Sequence, residues 1–294
     1  MHFLLSGEPI RFGLWACVLL AIRLLHAEPV RLPLATWELP IEFREGLLWL
    51  KVQVPQSDKS LNFLGDSGAS ASALNLTTTR RLGLRLGHKV TVEGVGASMT
   101  GFWPVRLAAS ANKVVLPGQF LALDLNKLSR ACSNSVDGLI GMDFFRDQVV
   151  QIDYAAQTLR VLGGEPSDTG ANTVPLEMRP CGFRVAVKVN GGKSQWVRVD
   201  TGCATAFQWV TSKERADRCT SKLAVGLTEF SIPQTMTGVQ IGKHYLDTVP
   251  TGLHRNAIFP GESGLLGNGL LASFGVITID AKSARLILGR SSAK

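Results

Sequence analysis

One ordered series of landmarks occurs twice in this chain, and few folds accommodate such a duplication. The first copy runs Phe63-Leu64-Gly65-Asp66-Ser67-Gly68-Ala69, then Gly138-Leu139-Ile140-Gly141-Met142-Asp143-Phe144-Phe145, Val150-Gln151-Ile152-Asp153 and Leu159-Arg160-Val161-Leu162-Gly163. The second runs Val197-Arg198-Val199-Asp200-Thr201-Gly202-Cys203, then Gly264-Leu265-Leu266-Gly267-Asn268-Gly269-Leu270-Leu271, Ile277-Thr278-Ile279-Asp280 and Arg285-Leu286-Ile287-Leu288-Gly289. One Asp-Ser/Thr-Gly tripeptide arises by chance; four landmarks in one order at similar offsets do not. Such self-similarity marks a repeated structural unit. A third tripeptide, Asp168-Thr169-Gly170, has no apolar strand leading into it, and Val239-Gln240-Ile241-Gly242 at the matching offset lacks the paired apolar residues. It reads as a turn.

Helical periodicity is rare, whereas short β-rich runs bounded by turn residues recur: Leu48–Val54, Val90–Val92, Val149–Ile152, Phe183–Val189, Trp196–Val199 and Val276–Ile279. Asn190-Gly191-Gly192, between two of them, is a hairpin-turn signal. The expected fold is mostly β, with two similar lobes: 28–164 and 172–294, joined by a polar linker at 165–171. With 45% hydrophobic and 18% charged residues, each half has the apolar content to bury its own core, and a disordered chain is excluded. No apolar run reaches the roughly 20 residues of a membrane-spanning helix. The net charge of +8 comes from scattered basic residues without aromatic interleaving, which argues against a nucleic-acid partner.

Residues 1–27 have the pattern of an export signal: Arg11, an apolar run from Phe12 to Ile22, and Leu25-His26-Ala27 as a small-residue cleavage site, with Arg23 as an interruption. The expected location is therefore periplasmic or secreted. Left uncleaved, the same segment would tether the chain to a membrane. Cys17 lies inside the apolar run and not after it, which disfavours lipid attachment. The four remaining cysteines, Cys132, Cys181, Cys203 and Cys219, permit two disulfides in an oxidising compartment or four separate thiols, and the sequence does not choose. Their spacing fits no zinc site. Asn75-Leu76-Thr77 is a formal glycosylation triplet that decides nothing by itself.

The pairing of Asp66-Ser67-Gly68 with Leu139-Ile140-Gly141, and of Asp200-Thr201-Gly202 with Leu265-Leu266-Gly267, resembles the pepsin/retropepsin-like aspartic protease superfamily in its two-lobed, single-chain form. The resemblance implies two closed-barrel-like lobes related by a pseudo-twofold axis, each supplying one catalytic aspartate, here Asp66 and Asp200. Because both lobes lie in one chain, no dimer is required. Two carboxylates held about 3 Å apart cannot both ionise, so the pair keeps one proton, activates a water and polarises a peptide carbonyl. The resemblance also assigns supporting roles to Ser67 and Thr201, whose hydroxyls would lock the loops, and to Gly68 and Gly202, which let the backbones meet. It implies a peptide or protein substrate and neither metal nor cofactor. A β-hairpin flap over the substrate would be supplied by the stretch from Val92 to Trp103, with Gly94 and Gly96 giving mobility and Phe102 and Trp103 covering a side chain. Glu229–Met236 is its counterpart in the second half and looks less flap-like.

Three positions depart from the pattern. Gly65 stands where an apolar residue is usual, while Ala69 and Cys203 replace the hydroxyl residue that follows each glycine. Fewer hydrogen bonds to the ionised carboxylate raise its pKa, so activity is expected in mildly acidic to neutral conditions. Cys203 could instead pair with Cys219. Gly65-Asp66-Ser67-Gly68 also spells a serine-protease nucleophile, but the only upstream histidines are His2 and His26, both in the leader. His88, His244 and His254 form no metallohydrolase motif. The alternative of a different class is a bilobal peptide- or protein-binding protein that kept the fold without catalysis.

Overall fold

A computed structural model describes residues 36–94, 97–164, 166, 172–211, 218–225 and 228–289. Residues 1–27, expected as an export signal, Asp168–Gly170, expected as a turn, and the expected linker apart from Pro166 lie outside the described residues.

The same alternation of apolar residues builds the same wiring in each half. Leu47–Val54 is buried except at Lys51 and Gln53, and its counterpart Gly182–Val189 repeats that pattern almost residue for residue. In the N-terminal half Leu47–Val54 pairs antiparallel with Ser57–Gly65, and Gly138–Ile140 runs parallel to Ser57–Gly65 with Leu139 opposite Leu64. In the C-terminal half Gly182–Val189 pairs with Gln195–Asp200, and Gly264–Gly267 runs parallel to Gln195–Asp200 with Leu265 opposite Arg198. Asn190 and Gly191 both take positive φ, as the turn chemistry of that dipeptide requires. Each half thus threads its apolar pair-plus-glycine strand beside the strand that leads into its aspartate.

Both halves also carry a long hairpin. One consists of His88–Gly94 and Ala97–Arg106, the other of Arg218–Val225 and Thr228–Ile241. Each then returns through a strand, Gln119–Leu123 or His244–His254, that lies parallel to the segment following the aspartate loop. Glu229–Met236 is therefore one arm of a hairpin equivalent to the first.

The halves meet in a shared antiparallel sheet. Val149–Asp153 pairs with Val276–Asp280 with Gln151 opposite Thr278 at the centre. Each of these strands has its own hairpin partner, Thr158–Leu162 or Arg285–Leu288, and Trp37–Pro40 and Asn172–Arg179 complete the two sides. This arrangement has the pseudo-twofold character that the duplication demands. One large buried cluster runs through both halves, from Leu48 and Phe63 to Phe207 and Leu288.

A short helix, Leu76–Arg81, follows the first aspartate loop. Asn75 caps it by accepting from the Thr77 N–H, and its amide donates to the Val136 carbonyl. Asn75 is 4% exposed, so the glycosylation triplet is a helix cap buried by the fold. Among the described residues no helix is long and apolar enough to cross a membrane.

Candidate active site

Asp66 and Asp200 sit at the ends of equivalent strands, and the structure brings them together at the seam between the halves. The Ser67 N–H donates to Thr201 Oγ1 (2.9 Å), and the Thr201 N–H donates to Ser67 Oγ (3.2 Å). Each hydroxyl then reaches across: Ser67 Oγ donates to the Val199 carbonyl (2.9 Å) and Thr201 Oγ1 to the Gly65 carbonyl (2.9 Å). Ser67 and Thr201 are both fully buried, so this four-bond lattice is shielded from water. The two glycines are equally reciprocal. A methyl group at Gly68 would fall on the Asp200 carboxylate, and one at Gly202 would fall on the Asp66 carboxylate. Only glycine lets the loops approach this closely.

The carboxylates differ in their donors. Asp66 Oδ1 accepts from the Gly68 N–H (3.0 Å) and the Ala69 N–H (2.9 Å), while Asp200 Oδ1 accepts from the Gly202 N–H (2.9 Å). Burial raises both. Asp200 is pushed up from 3.8 to about 8 by burial first and by the neighbouring Asp66 charge second. Asp66 is also raised by burial, against the pull of the Ala69 N–H and the bond from Asp200. Asp200, which has the less exposed surface of the two, therefore holds the pair's proton and donates it to Asp66.

Behind the loops, Asp143 Oδ1 accepts from both the N–H (2.9 Å) and the hydroxyl (2.7 Å) of Ser72. In the other half, the Asn268 amide donates to the Thr201 carbonyl (2.5 Å) and the Gly46 carbonyl (3.0 Å), and its oxygen accepts from the Tyr154 hydroxyl (2.8 Å). These supports escape a motif search because their partners are tertiary; the doubled Gly-Leu-Ile/Leu-Gly landmark points only to their neighbourhood.

Cys203 carries a free thiol, so the pairing with Cys219 is not made. Its sulfur lies 3.1 Å from Thr205 Oγ1, and burial beside Asp200 pushes it up to about 12. Cys132 and Cys181 are free as well, so of the two arrangements the sequence leaves open the pair of disulfides is not made. Among the described residues no cluster of three His, Cys, Asp or Glu is placed to hold a metal ion.

The stretch expected to supply a flap forms the first hairpin. Gly94 pairs with Ala97 at its tip; Gly96 lies outside the described residues. Phe102 packs against the large core cluster, and Trp103 pairs with His88 at the base. The two aromatics therefore anchor the hairpin, away from its tip.

Comparison with known proteins matches this geometry. Residues 50–144 match the aspartyl protease family. The matched segment holds Asp66-Ser67-Gly68 and Leu139-Ile140-Gly141, the first copy of the repeated landmarks, and supports the resemblance to the pepsin/retropepsin-like aspartic protease superfamily. Its fold is similar to that of an aspartic proteinase from Irpex lacteus, with a TM-score of 0.58 over 88% of this chain and 98% of the other at 12% identity. No curated protein matches the sequence.

Proposed function

We propose that this chain is an aspartic endopeptidase whose Asp66 and Asp200 act as one unit. The observation that supports this most is the reciprocal lattice, in which each half supplies one carboxylate, one hydroxyl and one close-approach glycine. A water between the carboxylates gives its proton to ionised Asp66 as it attacks the scissile carbonyl carbon. Protonated Asp200 donates to the carbonyl oxygen, and the resulting tetrahedral gem-diol collapses when the leaving nitrogen is protonated by the dyad. Backbone of an extended peptide pairs with the hairpins that rise from the two halves.

The test is cleavage of an unbiased peptide library between pH 3 and 8, with and without a statine-type peptide that mimics the tetrahedral intermediate. Cleavage that the statine peptide suppresses is the expected result. No cleavage across this range, by protein of verified fold, would favour a bilobal peptide-binding protein.

A further inference from the structure

Two residues before Asp200, Arg198 occupies the middle of an otherwise apolar strand, Val197-Arg198-Val199, and is only 4% exposed. Its guanidinium is fully engaged. Nε donates to Glu262 Oε2 (2.7 Å), Nη2 donates to Glu262 Oε1 (3.0 Å), and the Phe259 ring lies 3.6 Å from its central carbon. The remaining arm, Nη1, donates to the Gly68 carbonyl at 2.8 Å. That carbonyl belongs to the other half of the molecule, and the peptide it forms with Ala69 is the one whose N–H bonds Asp66 Oδ1. A continuous path therefore runs from Glu262 through Arg198 and the Gly68–Ala69 peptide to Asp66. A cation on the oxygen of a peptide strengthens the hydrogen bond that its N–H makes.

The equivalent layer of the N-terminal half shows that packing does not require this arrangement. Leu64 stands at the position of Arg198, and Val136, three residues before Leu139 as Glu262 is three before Leu265, stands at the position of Glu262. Leu64 and Val136 lie in one apolar cluster with Trp49, whose counterpart is Arg184. Taking an arginine and a glutamate out of water is costly, and an apolar pair of similar volume often serves stability as well. The ion pair has one feature that the apolar pair lacks, a bond across the seam.

We propose that Arg198 is a positioning residue of the dyad: clamped by Glu262, it reaches from one half into the other and fixes the peptide that supplies Asp66 with an amide donor. This rests on the reading of Asp66 and Asp200 as one working pair. Charged and titratable groups around it are Glu262, Asp200, Asp66 and, on the adjacent strand, Arg184, which is held by Glu177 (2.8 Å) and the Gly261 carbonyl (2.9 Å). Burial raises both aspartates, and the Arg198 charge opposes that rise in each.

The test transplants the residues of the other half. In the full chain, Arg198→Leu with Glu262→Val removes the cross-seam bond and leaves no buried charge unpaired. The readouts are a ¹³C-carboxyl NMR titration of Asp66 and Asp200 and the amide resonance of Ala69, neither of which needs turnover. The expected result is a retained fold, a weakened Ala69 hydrogen bond, and a dyad titration moved upward by about one pH unit or more. Arg198→Lys serves where the double variant does not fold, since an ammonium keeps the charge but cannot grip Glu262 and Gly68 together. Its Ala69 amide should move in the same direction. Titrations and Ala69 resonances that overlay those of the native chain would overturn the proposal. Overlaid spectra with a native chain that cleaves peptides sink Arg198 alone; shifted spectra with a native chain that itself cleaves nothing sink the endopeptidase reading and leave only the coupling of Arg198 to Asp66.

Discussion

The two halves share a strand plan, a hydroxyl lattice and a close-approach glycine, yet differ in the layer directly behind their aspartates. In the N-terminal half that layer is Trp49, Leu64 and Val136, all apolar and buried. In the C-terminal half it is Arg184, Arg198 and Glu262, equally buried but ionic. The fold tolerates either solution. A duplicated scaffold can thus keep the geometry that joins two carboxylates while changing the field on one side of them. The asymmetry extends to the carboxylates, since Asp66 has two amide donors and Asp200 one.

Where the halves agree, equal damage should follow equal substitutions. Gly68→Ala and Gly202→Ala each push a methyl onto the opposite carboxylate, and a displacement of about 1 Å at such a site costs on the order of 10²-fold in rate. Peptide cleavage rates for the two variants should fall together; a large loss from one alone would break the equivalence of the loops.

Where the halves differ, removing one partner should expose the difference. Glu262→Ala leaves Arg198 buried and unpaired, which should destabilise the protein by about 3–5 kcal/mol in denaturant melts. Val136→Ala, in the apolar counterpart, should cost only about 0.5–3 kcal/mol. Equal losses would mean that the two layers do the same work.

The protonation of Asp200 gives a pH-dependent test. Its pKa rises from 3.8 to about 8 on folding, so the unfolded chain releases this proton first as pH rises. Stability from this group is full below about pH 4, is lost as pH climbs towards 8, and changes no further above that. Asp200→Asn cannot ionise. Its stability relative to the native chain should therefore increase between pH 4 and 8 in melting curves, and a constant difference would contradict the raised pKa.

The smallest effects concern the lattice. Ser67→Ala and Thr201→Ala each remove one acceptor and one donor from a buried site, at about 1–3 kcal/mol apiece. Similar melting temperatures for the two would sharpen the twofold picture. A difference of several degrees would show that the seam is held from one side.

These contrasts also mark what the sequence carries. The doubled landmarks identify Asp66 and Asp200, their strands and the threading of Leu139–Ile140 and Leu265–Leu266, because a period-2 pattern and a tight turn are local properties. Arg198 is visible as a charge in an apolar strand. Its partner is not, since Glu262 and the Gly68 carbonyl reach it only through tertiary folding. Cysteine count alone could not tell a bridge from the buried Cys203 thiol, which is decided by distance and direction. Phe102 and Trp103 have the composition of a covering surface, yet the register of the hairpin sets them at its base.

The proposed dyad takes one residue from each half. Cleavage rates should be compared for the native chain, Asp66→Asn, Asp200→Asn and the double variant, each of verified fold. If the pair acts as a unit, each single variant loses about as much activity as the double, on the order of 10²–10⁴-fold or more. A single variant that cleaves at the native rate would contradict a shared site.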